Sequence, residues 1–164
     1  MRHPNKQKNT NIDTKQHTMK TLLNILIIAT LVSTSAFADS KVKAGPRKGL
    51  LLYLEGCHAE FFVEKDRTIS IAFYEASIGD KAQPIGERTA TATAEAPSGK
   101  VKLEFEKKGD LLVSKAPLPE GEGYTVVMQV KETPSEKPTN FRIKLLLHEC
   151  EKCHNPEYAC ICDE

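Results

Sequence analysis

The chain has 164 residues, 27% of them charged, no tryptophan, and a formal net charge of +1. This length fits one ordinary domain after a targeting segment. A nearly neutral chain has no charge surplus that would favour binding to nucleic acid or to an anionic membrane surface.

The first 38 residues predict a leader that takes no part in the fold. Residues 1–18 are polar and predict a non-native or extended leader, with Met19 as the true start. Residues 19–38 predict a secretory signal peptide, because a short apolar run, Leu22–Val32, precedes the small-x-small site that ends at Ala38. A transmembrane span needs roughly 20 apolar residues, so we expect cleavage after Ala38, export to the periplasm and no membrane anchor.

The mature chain, residues 39–164, is expected to form one β domain followed by a tail. It holds 18 Lys and Arg against 21 Asp and Glu, a net charge of −3. About 126 residues bury a core without covalent staples. Because four of the five cysteines lie together at one end, they indicate local chemistry and not a disulfide framework for the domain.

Alternation of apolar and polar residues predicts strands through residues 39–147. It is clearest near residues 69–74, 101–106, 124–130 and 141–148, and weaker at 50–55, 59–63, 88–94 and 111–114. Turn residues separate the runs, as in Glu64–Arg67 and Lys107–Asp110. No segment shows a helical stripe. We therefore predict an all-β, antiparallel, immunoglobulin-like β-sandwich, although the usual core tryptophan and cysteine pair are absent.

Residues 148–164 form the Cys/His-rich tail, with the pattern C-x2-C-H-x5-C-x-C between Cys150 and Cys162. A metal site is the first interpretation. Cys150 and Cys153 have the spacing of a thiolate knuckle, and Cys160 and Cys162 would point to one side of an extended chain. Such a set suits zinc or copper(I). His148 and His154, the two tail histidines, are candidate additional ligands.

Two other chemistries stay open for the same residues. In an exported chain the cysteines can form disulfides, for example Cys150 with Cys162. The run Cys150-Glu151-Lys152-Cys153-His154 also matches the attachment motif of a c-type haem. Only ten residues follow His154, which is too few to enclose a porphyrin, so haem is the weaker alternative.

The fifth cysteine, Cys57, precedes His58 at the start of a predicted strand. The pair suits metal ligands or a nucleophile with its base. No acid or oxyanion motif accompanies it, so we expect no enzyme activity and a partly buried thiol. A more specific alternative is that His58 and the tail meet in space and form one site.

Three stretches together resemble a group of small exported bacterial proteins that occur beside heavy-metal efflux systems of the resistance-nodulation-division type. They are His58–Val63 with Asp66-Arg67, Lys137–Phe141, and Tyr158-Ala159-Cys160-Ile161-Cys162. The resemblance covers most of the mature chain, and its most specific part is C-x2-C followed by Y-A-C-x-C. His154 and Cys57 lie outside the family pattern.

The resemblance implies a periplasmic accessory in the handling of copper, zinc or a related metal, with an efflux complex as possible partner. It carries over Cys150, Cys153, Cys160 and Cys162 as metal ligands and His58 as a weaker one. From the sequence we therefore predict a metal-binding buffer or accessory protein. The alternatives are a haem electron-transfer protein and a disulfide-locked interaction module.

Overall fold

The computed structural model describes residues 43–76 and 81–162. The predicted leader and signal peptide, residues 1–38, lie outside these ranges. All described residues belong to one compact unit of the chain. In the described ranges, no helix is both long enough and apolar enough to cross a bilayer.

Short antiparallel strands account for about half of the described chain. The strands are β1 (Leu50–Tyr53), β2 (Cys57–Val63), β3 (Ile69–Glu75), β4 (Ala82–Gln83), β5 (Thr89–Ala96), β6 (Gly99–Lys108), β7 (Leu111–Ser114), β8 (Thr125–Lys131) and β9 (Thr139–Lys144), followed by the short 3₁₀ helix η1 (Glu157–Ala159). The predicted strands are present with bounds shifted by a few residues. Only the two-residue β4 had no counterpart in the sequence pattern.

All strand pairs are antiparallel and join one sheet in the order β1-β2-β3-β7-β6-β5-β8-β9, with β4 beside β3. The long strand β6 pairs with β5 through residues 99–104 and with β7 through residues 105–108. One strand thus carries the sheet round the core in a barrel-like arrangement. The prediction of an all-β antiparallel fold is confirmed. The immunoglobulin-like sandwich is not established, because the hydrogen-bonded path is continuous.

The core is a single apolar cluster to which strands from both ends of the sheet contribute. In β5 the alanines at 90, 92, 94 and 96 are buried and the threonines between them are not. Val126, Met128 and Val130 of β8 are buried as the alternation predicts. In β6 only Leu103 is fully buried. Val101, which the alternation also places inside, is 38% exposed, because it lies in the part of the strand near the hairpin, where residues 99–102 are all exposed.

Strand β3 is buried on both faces, which its alternation did not predict. Ser70 and Tyr74 point away from the apolar core, yet they are 0% and 4% exposed. The cause is the segment of residues 43–49, called here the N-terminal strap, which is bonded to side chains of β2 and β3. Arg47 donates to Ser70 Oγ at 2.8 Å and to Glu64 Oε1 at 2.6 Å.

Glu60 of β2, fully buried beneath the strap, accepts its hydrogen bonds. The backbone N–H groups of Arg47 and Gly49 donate to Oε1 at 2.9 and 2.7 Å, and the Tyr74 hydroxyl donates to Oε2 at 2.8 Å. A buried carboxylate is tolerated only when its oxygens are bonded in this way. Gly45 lies close to the carboxyl group, where an added Cβ would stand 2.5 Å from Glu60 Cδ.

Candidate metal centre

The tail begins as a continuation of the last strand pair. Beyond β8 and β9, Leu145 N–H donates to Tyr124 O at 2.8 Å, and Gly123 N–H donates to Leu145 O at 2.6 Å. The chain then reverses, with Glu149 and Pro156 forming an isolated antiparallel bridge. The sheet therefore delivers residues 150–155 as a closed turn and not as a free end.

This turn has the form expected of a thiolate knuckle. Cys150 N–H donates to Asn155 O at 2.8 Å, and His154 N–H donates to Cys150 O at 2.9 Å. His154 has a φ of 55°. This left-handed conformation is uncommon outside glycine, although asparagine, aspartate and histidine adopt it more often than other residues. It reverses the chain directly after Cys153. The local backbone thus presents Cys150 and Cys153 to one point.

Helix η1 returns the second pair of cysteines to the knuckle. Glu157 N–H donates to His148 O at 2.8 Å, and Tyr158 N–H donates to Leu146 O at 3.1 Å. Tyr158 and Ala159 are 7% and 0% exposed, within the core cluster. Because Cys160 directly follows Ala159, anchoring this helix fixes where Cys160 and Cys162 can lie.

The four tail thiols converge on one point. Their sulfur atoms all lie within 4.8 Å of one another. The separations are 3.8 Å for Cys150–Cys162, 3.8 Å for Cys153–Cys160 and 3.3 Å for Cys150–Cys160. Zinc–sulfur bonds of about 2.3 Å in a tetrahedron place the sulfurs about 3.8 Å apart. The group can hold one metal ion. No pair is bonded as a disulfide, and all five cysteines are free.

Backbone N–H groups point at some of these sulfurs. The N–H groups of Ile161 and Asn155 lower the pKa of Cys153 to about 6. The Cys162 N–H lowers the pKa of Cys160, but the hydrogen bond to Cys150 and loss of solvent raise it further, so the net shift is upward. Loss of solvent and the neighbouring thiols raise the pKa of Cys162 to about 12.

The backbone N–H groups at Cys153 and the close approach of the neighbouring thiols thus shift the pKa values of these cysteines in opposite directions. A cation bound among them would favour the thiolate forms, since thiolates and not thiols are metal ligands. The N–H groups that lower the pKa of Cys153 also orient its sulfur, as outer-shell partners do in thiolate sites.

The two tail histidines lie beside the thiols but outside the converging group. His154 Nδ1 lies 2.8 Å from Glu149 Oε1, with both side chains about two-thirds exposed. His148 Nδ1 lies 3.5 Å from Glu122 Oε1. These two contacts do not test the role of the histidines as additional metal ligands, which stays a prediction.

His58 and Cys57 lie on β2, away from the four-thiol group. The His58 ring meets the Tyr53 ring edge-on, with centroids 4.7 Å apart. Cys57 is 1% exposed, and its thiol lies 3.7 Å from Glu132 Oε2. Burial raises the pKa of Cys57, which disfavours the reactive thiolate. Within the described chain, the ligand group comprises the tail cysteines without His58.

The site opens to solvent through a cleft of about 450 Å³. Three carboxylates, those of Glu149, Glu151 and Glu157, line it together with the single amine of Lys152. The rim is therefore net negative, which favours the approach of a cation over that of an anion.

Sequence reasoning found the four thiols but not what holds them in place. Val63 N–H donates to the Tyr158 hydroxyl at 3.1 Å, and the Tyr158 and Phe61 rings meet edge-on at 5.5 Å. The available signal was that Tyr158 is the one aromatic residue in the tail, placed between the two cysteine pairs. Burial removes solvent from the Tyr158 hydroxyl and raises its pKa to about 12.

Comparison of the chain with protein-family models, with characterised proteins and with solved structures gives no match. The functional argument therefore rests on the geometry of the site.

Proposed function

We propose that this protein is a non-enzymatic transition-metal-binding protein whose tail binds one zinc ion through Cys150, Cys153, Cys160 and Cys162. The observation that carries the proposal is the convergence of the four sulfurs within 4.8 Å of one another, with two of the separations at 3.8 Å, about the edge of a zinc–thiolate tetrahedron. Four sulfurs in a tetrahedral arrangement suit zinc or iron. Copper(I) is the competing ion among soft metals.

The predicted signal peptide and the resemblance found in the sequence support a periplasmic setting, in which the protein buffers zinc or passes it to a heavy-metal efflux complex. Its negative rim suits capture of a cation from dilute solution. A four-thiolate site has no open coordination position, so it supports storage or a structural role better than catalysis.

The haem alternative is less well supported by the same geometry. Cys150 and Cys153 already stand beside the other two thiols, and the His154 ring is engaged with Glu149. The disulfide alternative has more support, because Cys150–Cys160 and Cys153–Cys160 are near neighbours. Oxidation by an exogenous disulfide would close either contact with a small movement, so the test below uses the reduced chain.

The test is metal titration of the reduced full-length chain. Co²⁺ is expected to bind at one equivalent with the absorption of a tetrahedral thiolate complex, and Zn²⁺ is expected to displace it. Cys153→Ser should abolish this spectrum, whereas the matched control Cys57→Ser should retain it, because Cys57 lies apart from the group. Failure of the wild-type chain to bind Co²⁺ or Zn²⁺, or equal loss in both variants, would refute the proposal.

A further inference from the structure

Helix η1 belongs both to the thiol site and to the core of the domain. Cys153 precedes it and Cys160 follows it, and its residues Tyr158 and Ala159 are buried in the core cluster. The two halves of the site thus meet in a structure in which the helix between them is seated on the sheet.

The seat is made by three hydrogen bonds to distant or neighbouring strands. Leu146 O and His148 O, on the extension of β9, accept the N–H groups of Tyr158 and Glu157. The Tyr158 hydroxyl accepts the N–H of Val63 at the end of β2. The pairing of β2 with β1 ends at Phe61. The Val63 N–H lies beyond this point, where β1 offers no acceptor and the Tyr158 hydroxyl bonds it instead.

The tail places two of its residues, Tyr158 and Ala159, in the apolar core, and η1 is only three residues long. Ordering about fifteen residues costs conformational entropy that the burial of two side chains does not offset by itself. An ion bound to both cysteine pairs would contribute the free energy that offsets this cost.

We propose that the ion acts as a clasp, so that occupancy of the four-thiolate site and seating of Tyr158 against β2 are one coupled equilibrium. This inference rests on the proposed function and adds that zinc controls whether the tail is bound to the sheet. Without zinc the tail leaves the sheet, and Phe61 and the Val63 N–H become exposed. With zinc the tail is seated and both are covered.

Coupling of this kind is reciprocal, so weakening the seat must weaken zinc binding. In Tyr158→Phe the ring stays and the hydroxyl contact to Val63 is lost, and in Tyr158→Ala the ring is lost as well. Neither change touches a thiol. The matched control is Tyr124→Phe, which removes a buried hydroxyl that donates to Pro119 O at 2.7 Å, away from the tail.

The experiment is competition between the reduced full-length chain and a chromophoric chelator for Zn²⁺. We expect affinity to fall about three- to tenfold in Tyr158→Phe and about 100-fold in Tyr158→Ala. Both variants should keep the tetrahedral Co²⁺ spectrum, and Tyr124→Phe should keep the wild-type affinity. Unchanged zinc affinity in both Tyr158 variants would overturn the clasp and leave the proposed function standing. Absence of metal binding in the wild-type chain would overturn both.

Amide exchange at Val63 gives a second readout that a merely local metal site would not move. Zn²⁺ should slow exchange of the Val63 N–H at least tenfold in the wild-type chain and have no such effect in Tyr158→Phe. Equal exchange with and without Zn²⁺ in the wild-type chain would overturn the coupling.

Discussion

The N-terminal strap and the C-terminal tail are both fastened to β2, but by different chemistry. The strap is held by Glu60, whose two carboxylate oxygens accept hydrogen bonds from Arg47 N–H, Gly49 N–H and the Tyr74 hydroxyl. The tail is held by the Tyr158 hydroxyl on Val63 N–H and ends in four thiols gathered at one point.

One attachment is complete within the chain, whereas we propose that the other depends on a bound ion. Every oxygen of the Glu60 carboxylate is satisfied by groups that the fold always supplies. The tail thiols lie close together, where a bound cation would hold them as thiolates. We therefore expect the strap to stay attached to β2 with or without zinc, and the tail to stay attached only with zinc bound.

The largest effect is expected from Glu60→Ala. It removes the acceptor of the Arg47 and Gly49 N–H groups and opens a cavity, so the free energy of unfolding should fall by about 3–5 kcal/mol. Urea unfolding measures this loss. Glu60→Gln, the control of matched size, keeps one acceptor oxygen and should lose less. If Glu60→Ala unfolds like the wild-type chain, the strap is not held as described.

Removal of zinc should release the tail and leave the strap in place. With free Zn²⁺ 100-fold above its dissociation constant, binding contributes about 2.7 kcal/mol to stability, which a chelator removes. Limited trypsin digestion should then cut at Lys152 at least tenfold faster, while the rate at Arg47 in the strap stays unchanged. Equal acceleration at both sites would show that the two attachments are not independent.

Alkaline pH should weaken the attachment of Tyr158 to the sheet. The pKa of Tyr158 is raised from its ordinary value of 10 to about 12, mainly by burial. Between these values the folded chain holds a proton that the unfolded chain has lost, so stability falls as pH rises through this window. The loss should approach about 2 kcal/mol at the upper end.

Urea midpoints between pH 9 and 12 measure this loss, and Tyr158→Phe is the control because its ring cannot ionise. The variant should be less stable at pH 9 and should show a shallower decline. Parallel curves for the two chains would contradict the assignment of the alkaline loss to Tyr158.

The sequence by itself predicted every strand except β4 and singled out the four cysteines that the structure brings together. Alternation in β5 and β8 places Ala92 and Met128 inside because a strand exposes its two faces in turn, a property of the local chain. The knuckle at Cys150 and Cys153 is likewise local, since five residues and one left-handed turn close it. Four thiols within thirteen residues could therefore be read as one site.

Tertiary structure alone decided which surfaces are covered and what seats the site. The outer face of β3 is buried because the strap, some 20 residues earlier in the chain, lies over it, and alternation within β3 contains no record of that. The continuous path through β6 likewise depends on pairing between distant strands. Tyr158 reaches Val63 across 95 positions of sequence. Contacts at such separation depend on how the whole sheet closes, so no local pattern predicts them.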